Sequence, residues 1–240
     1  MWNWKGELIS SMDYKASALQ YPGTEYWDFH RPHLHQVMMD KAIELGAIIH
    51  TKCRVVDVQC KPDGSAATAV LQDGSDHVGD LVIAADGISS PLRNIMVGRA
   101  EAPMPTGDMV YRMMLPCKKL LESHDLAEFV TTPQVNYWLG DKQHGVNYVL
   151  RRGELFNFAL TAPDDIPPEK GNRMACSVQE VMDAYKGWEP RLIKLIGLAE
   201  TAEKWRLCYR YSELPWSHPS GCFTMLGDAI HATAPYLASG

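Results

Sequence analysis

Asp80-Leu81-Val82-Ile83-Ala84-Ala85-Asp86-Gly87-Ile88-Ser89-Ser90-Pro91-Leu92-Arg93 decides the fold. Four apolar residues in a row between turn signals predict a buried strand of the parallel type. An Asp-Gly pair follows, where glycine permits positive φ or a close backbone approach. Ser89 or Ser90 can then cap a short helix running to about Met96. Asp86 therefore falls at the carboxyl end of a strand, where open α/β sheets bind their ligands. Taken alone, these residues also suit an ordinary strand–turn–helix connection.

The same grammar returns near the end of the chain. Cys222–Leu226 is a second apolar strand, and Gly227-Asp228-Ala229-Ile230-His231 follows it, with Pro235 beyond. A carboxylate at such a strand end can accept hydrogen bonds from sugar-type hydroxyls, and Pro235 shapes a turn. Between the two motifs and before them, other elements are legible. A helix is expected from Pro32, a residue suited to the first turn, with Leu34, Val37, Met38, Ile43 and Leu45 as its apolar face and Gly46 ending it. Short strands are expected at residues 47–50 and 54–59, and Asp63-Gly64 and Asp73-Gly74 bracket another at 67–71. Two prolines and a glycine at Ala102–Gly107 mark a boundary. Strand-like stretches then occupy 109–115, 135–139, 146–151 and 155–161. A Pro-rich loop (163–171) precedes helical patterns at 178–186 and 190–199, and 205–211 returns to a strand pattern.

Composition narrows the function. The 240 residues are 46% hydrophobic and 22% charged, the balance of a folded globular protein. A net charge of −6 with no basic run carries no footprint for nucleic acid. No apolar run is long enough for a membrane helix. The first residues lack a signal peptide's pattern, so the default expectation is cytoplasmic. Six cysteines without a C-x-x-C pair indicate free thiols in a reducing compartment. His30, His33 and His35 do not make a metal site, because 33 and 35 do not share a helix face and no nearby carboxylate completes a ligand set.

In this order the two motifs, D-G-x-x-S-x-x-R at 86–93 and G-D-A-x-H-x-x-x-P at 227–235, resemble the FAD-dependent aromatic hydroxylases of the salicylate and hydroxybenzoate hydroxylase type. Phe29-His30-Arg31-Pro32-His33-Leu34 is similar to that family's H-R-x-x-L segment. The resemblance implies an α/β fold: an incomplete Rossmann-like FAD-binding domain, residues 1–102 and 214–240, with an inserted, mainly β-sheet substrate domain at 103–213. It implies FAD as cofactor, NADH or NADPH as reductant, and O2 with a small aromatic molecule as substrates. Arg31, Val55, Asp86, Gly87, Arg93, Gly227, Asp228 and Pro235 are then the expected cofactor-binding residues.

His144-Gly145-Val146-Asn147-Tyr148 resembles the H-x-x-x-Y of several family members. Residues four apart on a strand share a face, so His144 and Tyr148 can line one pocket, with histidine as a base for a phenol proton. Arg112, in a Tyr-Arg pair, is a third expected catalytic residue. Two sheet-surface residues and an exposed arginine are the bland alternative. No G-x-G-x-x-G occurs in the 240 residues. The expectation is accordingly a piece of a longer protein, holding FAD weakly by itself; a non-catalytic flavin-fold remnant, an epoxidase or a halogenase is the rival reading. Substrate identity and oligomeric state are not legible.

Overall fold

The computed structural model describes residues 1–23, 26–211 and 215–236. The chain divides into two compact units: residues 1–47 with 107–206, and residues 48–106 with 207–240. This partition differs from the expected division into cofactor and substrate parts, since residues 1–47 join the central stretch. The expected boundary at 213/214 and the glycine-rich turn after Tyr236 lie outside the described residues.

In chain order the elements begin with β1 (Trp2–Asn3), α1 (Tyr14–Ala18) and α2 (Arg31–Glu44). Next come β2 (Val55–Cys60), β3 (Ala67–Leu71), β4 (Asp76–Gly79), β5 (Val82–Ala84) and α3 (Pro91–Val97). They continue with β6 (Met104–Pro116), α4 (Cys117–Leu121), α5 (Glu128–Thr131), β7 (Val135–Gly140), β8 (Gln143–Leu150), β9 (Leu155–Pro163) and β10 (Arg173–Cys176). The last are α6 (Val178–Ala184), α7 (Pro190–Gly197), β11 (Ala202–Tyr209), β12 (Phe223–Met225) and α8 (Asp228–His231).

The first unit is built on a seven-stranded sheet in the order β1-β7-β8-β9-β6-β11-β10. Its centre, β7-β8-β9-β6, is antiparallel, with Trp138 opposite Gly145, Gly145 opposite Leu160 and Leu160 opposite Tyr111. Alternation along the strands sends Trp138, Phe156, Phe158, Leu160, Tyr111, Met113 and Leu115 to one face, all buried with Leu192, Leu195 and Ile196 of α7 and Val181 of α6. Burying each such side chain contributes about 1.5–3 kcal/mol, which fixes the register: a slip of one residue would send this set to the other face. The opposite face carries Tyr137, His144, Val146, Tyr148 and Arg112, all only partly buried.

In the second unit, β2-β3-β4 forms an antiparallel sheet and β12 pairs in parallel with β5. Val58, Ala67, Ala84, Leu92, Met96, Cys222, Phe223, Met225, Ala229 and Ile230 form its core. The Asp73-Gly74 turn closes the β3–β4 hairpin, with Asp73 Oδ1 accepting from Ser75 N (3.0 Å) and Leu71 N donating to Ser75 O (2.8 Å). Asp63 Oδ1 likewise accepts from Ser65 N.

Three sequence expectations are corrected. Residues 47–50 form no strand. The 81–84 strand is buried on one face only: Ala84 is enclosed, but Ile83 is 53% exposed, because among the described residues β5 and β12 form a two-stranded sheet extended only by the short 216–217 segment, bridged to Thr224 by Ser217. α2 forms where expected, yet buries none of its residues. Its apolar side chains sit at solvent-facing positions, Val37 at 65% exposure among them.

Candidate cofactor and substrate sites

The two motifs of the second unit meet through one parallel strand pair. Met225 lies opposite Ala84, and Leu226 N donates to Ala84 O at 2.9 Å. Asp86 comes two residues after this register point and Asp228 three, so both carboxylates emerge at the same end of adjacent parallel strands. Both are exposed, and neither has a protein hydrogen bond or ion pair with a described residue.

Gly87 turns the chain with φ 82°. Ser90, not Ser89, caps α3, its Oγ accepting from Arg93 N at 3.0 Å. Val55 and Asp86 line one cleft of about 650 Å³ with Arg54, Ala84, Ser89 and Pro91. Gly227 precedes α8 with φ 61° and ψ −141°, a region essentially closed to residues with a side chain. A Cβ built on Gly227 meets nothing within 4 Å, so the backbone there borders open space. Pro235 is exposed.

Arg93 is placed differently from expectation. It is 1% exposed, and its guanidinium is turned into the unit. Nη1 donates to Ile230 O (2.8 Å), Nη2 to Tyr211 O (2.9 Å), and Nε lies 3.5 Å from Glu101 Oε2. A buried guanidinium needs such partners, and these are supplied by protein carbonyls and a carboxylate. Arg210, which no motif singled out, does the same: Nε donates to Ile88 O (2.9 Å) and Nη1 to Glu101 O (2.7 Å). Arg99 beside Glu101 holds that carboxyl below its ordinary range.

Arg31, Arg112, His144 and Tyr148 belong to the first unit. Arg31 is the exposed first residue of α2. His144 and Tyr148 share the partly open sheet face, opposite Leu139 and Val135 of β7 and Thr161 and Asn157 of β9. Arg112 is one strand further on, over the Trp205 ring at 5.2 Å. Burial lowers the His144 imidazole below its ordinary value, against the opposing pull of Asp108. Burial raises the Tyr148 phenol, while the positive charges of Arg112 and Arg31 draw it back.

The spacing argument missed the rest of this cluster. Tyr137 pairs with Val146, between His144 and Tyr148, and so projects on their face; the alternation of Val135–Gly140 carries that signal. Tyr26 stacks on Tyr14 at 4.7 Å, and its hydroxyl is bonded to Asp28. Partial burial pushes the Tyr26 phenol up, with the Asp28 charge adding to it. Burial also raises Asp28, against the hydrogen bond from Tyr26. Among the described residues no cluster of His, Cys, Asp and Glu is arranged to hold a metal, and no helix is long and apolar enough to cross a membrane.

A flavin nucleotide combines sugar-type hydroxyls, a pyrophosphate and a flat ring. The groups of the second unit suit it: two carboxylates without a partner among the described residues, able to accept from hydroxyls, backbone open to approach at Gly227, and a cleft beside Val55 and Asp86. Comparison with known proteins agrees. The FAD binding domain family matches residues 8–240. The FAD-dependent monooxygenase OpS4 of Beauveria bassiana is 37% identical over 217 residues, 90% of this chain and 50% of that protein. The 3-hydroxybenzoate 6-hydroxylase of Polaromonas naphthalenivorans is 31% identical over 236 residues, 98% of this chain and 56% of that protein. A salicylate hydroxylase solved as a substrate complex superposes with a TM-score of 0.74 at 25% identity, covering 91% of this chain and 55% of that one. The chain thus spans about half the length of these relatives, and with nearly all its residues matched it belongs to the FAD binding domain family.

Proposed function

We propose that the protein to which this chain belongs is an FAD-dependent monooxygenase that hydroxylates a small aromatic molecule. The balance is substrate, NADH or NADPH, a proton and O2 giving hydroxylated substrate, oxidised nicotinamide and water. The observation that supports the reading is the parallel pairing of β5 with β12, from which Asp86 and Asp228 follow at the carboxyl ends of both strands, the end where open α/β sheets bind ligands.

FAD, when bound, supplies the activation of O2 and the transfer of one oxygen atom to the substrate. Asp228 and Asp86 accept hydrogen bonds from its hydroxyls, while Gly87 and Gly227 leave room for its backbone-side contacts. Val55 and Pro235 provide apolar surface. Arg93 is here a positioning residue that holds α8, and with it Asp228.

On the sheet face, His144 takes the proton from a phenolic hydroxyl of the substrate. Its lowered pKa keeps it a neutral base at neutral pH. Arg112 steadies the resulting negative charge, and Tyr148, kept protonated by burial, remains a hydrogen-bond donor. An electron-rich phenolate ring is the form most readily hydroxylated.

The test is a panel of hydroxybenzoates and unsubstituted benzoates offered to the FAD-loaded full-length protein with NADH or NADPH. Hydroxylated product formed in step with nicotinamide oxidation, from phenols above all, is the expected result. Nicotinamide oxidation without hydroxylated product from any panel member would remove the hydroxylase assignment.

A further inference from the structure

Apart from the candidate cofactor cleft, the second unit holds a chain of reactive side chains that the proposed function does not use. His218 Nδ1 lies 2.7 Å from Ser220 Oγ, and Ser220 Oγ lies 3.2 Å from Cys222 Sγ. Cys222 Sγ is also 3.2 Å from Ala66 O, which accepts from Lys61 N, the residue after Cys60. Cys60 lies opposite Ala67, the neighbour of Ala66, and packs against the core cluster that holds Cys222; its thiol interacts with both Ser220 and Cys222. Thus two cysteines far apart in sequence meet, with a hydroxyl and an imidazole lined up behind one of them.

The packing holds them there. Gly64 closes the turn after Cys60 with φ 72°, and a Cβ on it would stand 2.3 Å from Ser220 O. The turn at 61–66 therefore lies directly against the 218–222 loop, and only glycine allows the approach. His218 N donates to Phe223 O and Gly221 N to His218 O, which closes that loop on itself.

The contacts line up a proton path from Cys222 to His218. Ser220 N donates to His218 Nδ1 at 3.2 Å, so that nitrogen is an acceptor. The Ser220 hydroxyl then donates to it as well. The single Cys222 thiol proton rests on Ala66 O, and turning it by a rotation about the Cβ–Sγ bond onto the neighbouring Ser220 Oγ, 3.2 Å away, opens the path to His218. Exposure differs between the sulfurs: Cys222 is 1% exposed, whereas Cys60 is only partly covered. An oxidant reaches Cys60 first.

We propose that Cys60 and Cys222 form a reversible disulfide driven by hydrogen peroxide, with Ser220 and His218 carrying away the Cys222 proton. The Cys60 thiolate attacks one peroxide oxygen, the O–O bond breaks, and the departing hydroxide takes up a proton to leave as water. The sulfur is now a sulfenic acid. The Cys222 thiolate, its proton passed through Ser220 to His218, attacks the Cys60 sulfur and displaces hydroxide, which is released as a second water. Two thiols lose two protons and two electrons, and one peroxide is reduced to two waters. Burial raises the Cys60 thiol, so it reacts slowly at neutral pH. The pair answers sustained peroxide, and in a reducing compartment thiols restore it.

The experiment uses the full chain carrying Cys53→Ser, which removes the exposed competing thiol, treated with hydrogen peroxide and digested without reductant for mass spectrometry. The expected product is a cross-linked peptide pair joining Cys60 to Cys222, lighter by two hydrogens and resolved by dithiothreitol. His218→Ala should slow its formation by at least ~10-fold, the scale of a lost proton acceptor. In a Cys222→Ser protein, dimedone should label Cys60. The proposal is overturned if Cys60 and Cys222 stay free thiols while other cysteines oxidise. It is equally overturned if Cys60 proceeds to sulfinic acid with Cys222 intact beside it. The cross-link is read in the Cys222-containing chain, so a folding defect of the serine variant leaves the outcome decisive.

Discussion

Arg93 and Ile230 are joined by a 2.8 Å hydrogen bond from a buried guanidinium to a main-chain carbonyl. The bond ties α3, whose first turn ends the first aspartate motif, to α8, which carries the second. With Arg210 on Ile88 O, each motif is held by an arginine from elsewhere in the unit. Arg93→Ala removes the charge and leaves carbonyls of Ile230 and Tyr211 short of donors, at a cost of about 3–5 kcal/mol. Arg93→Lys keeps the charge but cannot span both carbonyls, and should recover less than half of that loss. Urea unfolding followed by fluorescence measures both, and an Arg93→Ala protein as stable as the parent would contradict the tether.

Asp228→Ala in the full-length protein should weaken FAD binding by about 1–3 kcal/mol, the value of hydrogen bonds to a charged acceptor. Asp86→Ala should act in the same direction. Fluorescence titration with FAD reads the affinity, and the unfolding curve in the absence of FAD should stay within about 0.5 kcal/mol of the parent, because both carboxylates are exposed and have no partner among the described residues. Unchanged affinity in both variants would take the aspartates out of the cofactor site.

Burial lowers the His144 pKa in the folded protein. The acid limb of kcat/KM for a phenolic substrate should therefore fall below pH 6.5, the ordinary histidine value. The sign for stability follows. Between the lowered folded pKa and the ordinary one, the unfolded chain binds more protons, so stability rises with pH across that window. It is fully present above pH 6.5 and is lost as pH falls towards the folded value. His144→Asn should abolish the acid limb and flatten this part of the stability profile. A limb that persists in the variant would assign the proton to another group.

Glu189 is buried and accepts from Trp138 Nε1 and Arg191 Nε, while its own N–H donates to Trp4 O at 2.8 Å. Glu189→Ala would leave an indole N–H unpaired in the core and Arg191 without its carboxylate, costing about 3–5 kcal/mol. Glu189→Gln should lose less, since it keeps an acceptor for Trp138. Thermal unfolding of the two variants ranks them; equal melting temperatures would show that the carboxylate charge is immaterial.

Much of this architecture was legible because strand ends and turn chemistry are local. Asp86-Gly87 and Gly227-Asp228 each announce a strand end, and residues 67–71 were bracketed correctly by two Asp-Gly turns. The four-residue spacing of His144 and Tyr148 correctly implied one face. What failed was what depends on distant partners. The apolar pattern of residues 34–45 predicts a helix but cannot say what covers it, and α2 stays exposed. The run at 81–84 resembles a strand buried on both faces, yet its burial is set by how many neighbours the sheet supplies. Arg93 looked like a ligand contact because its motif resembles a cofactor segment. Only the fold shows the carbonyls of Tyr211 and Ile230 at its head. Tyr26 and Asp28 carry no motif, and their place beside Tyr137 and Tyr148 is a tertiary fact.

The pairing of β5 with β12 also governs the order in which the protein can fold. The chain leaves the ribosome from its N-terminus, so residues 48–106 emerge long before residues 207–236 that complete their core. During that interval Ala84 and Leu92 lack Phe223, Met225 and Ile230, and Arg93 lacks two of its carbonyl partners. The central sheet, whose β6-to-β9 pairings lie within one continuous stretch, needs no such wait. Closing a loop this long carries an entropic delay that local hairpins avoid. The segment at residues 80–93 accordingly gains full protection from proteases only once the C-terminal strand arrives.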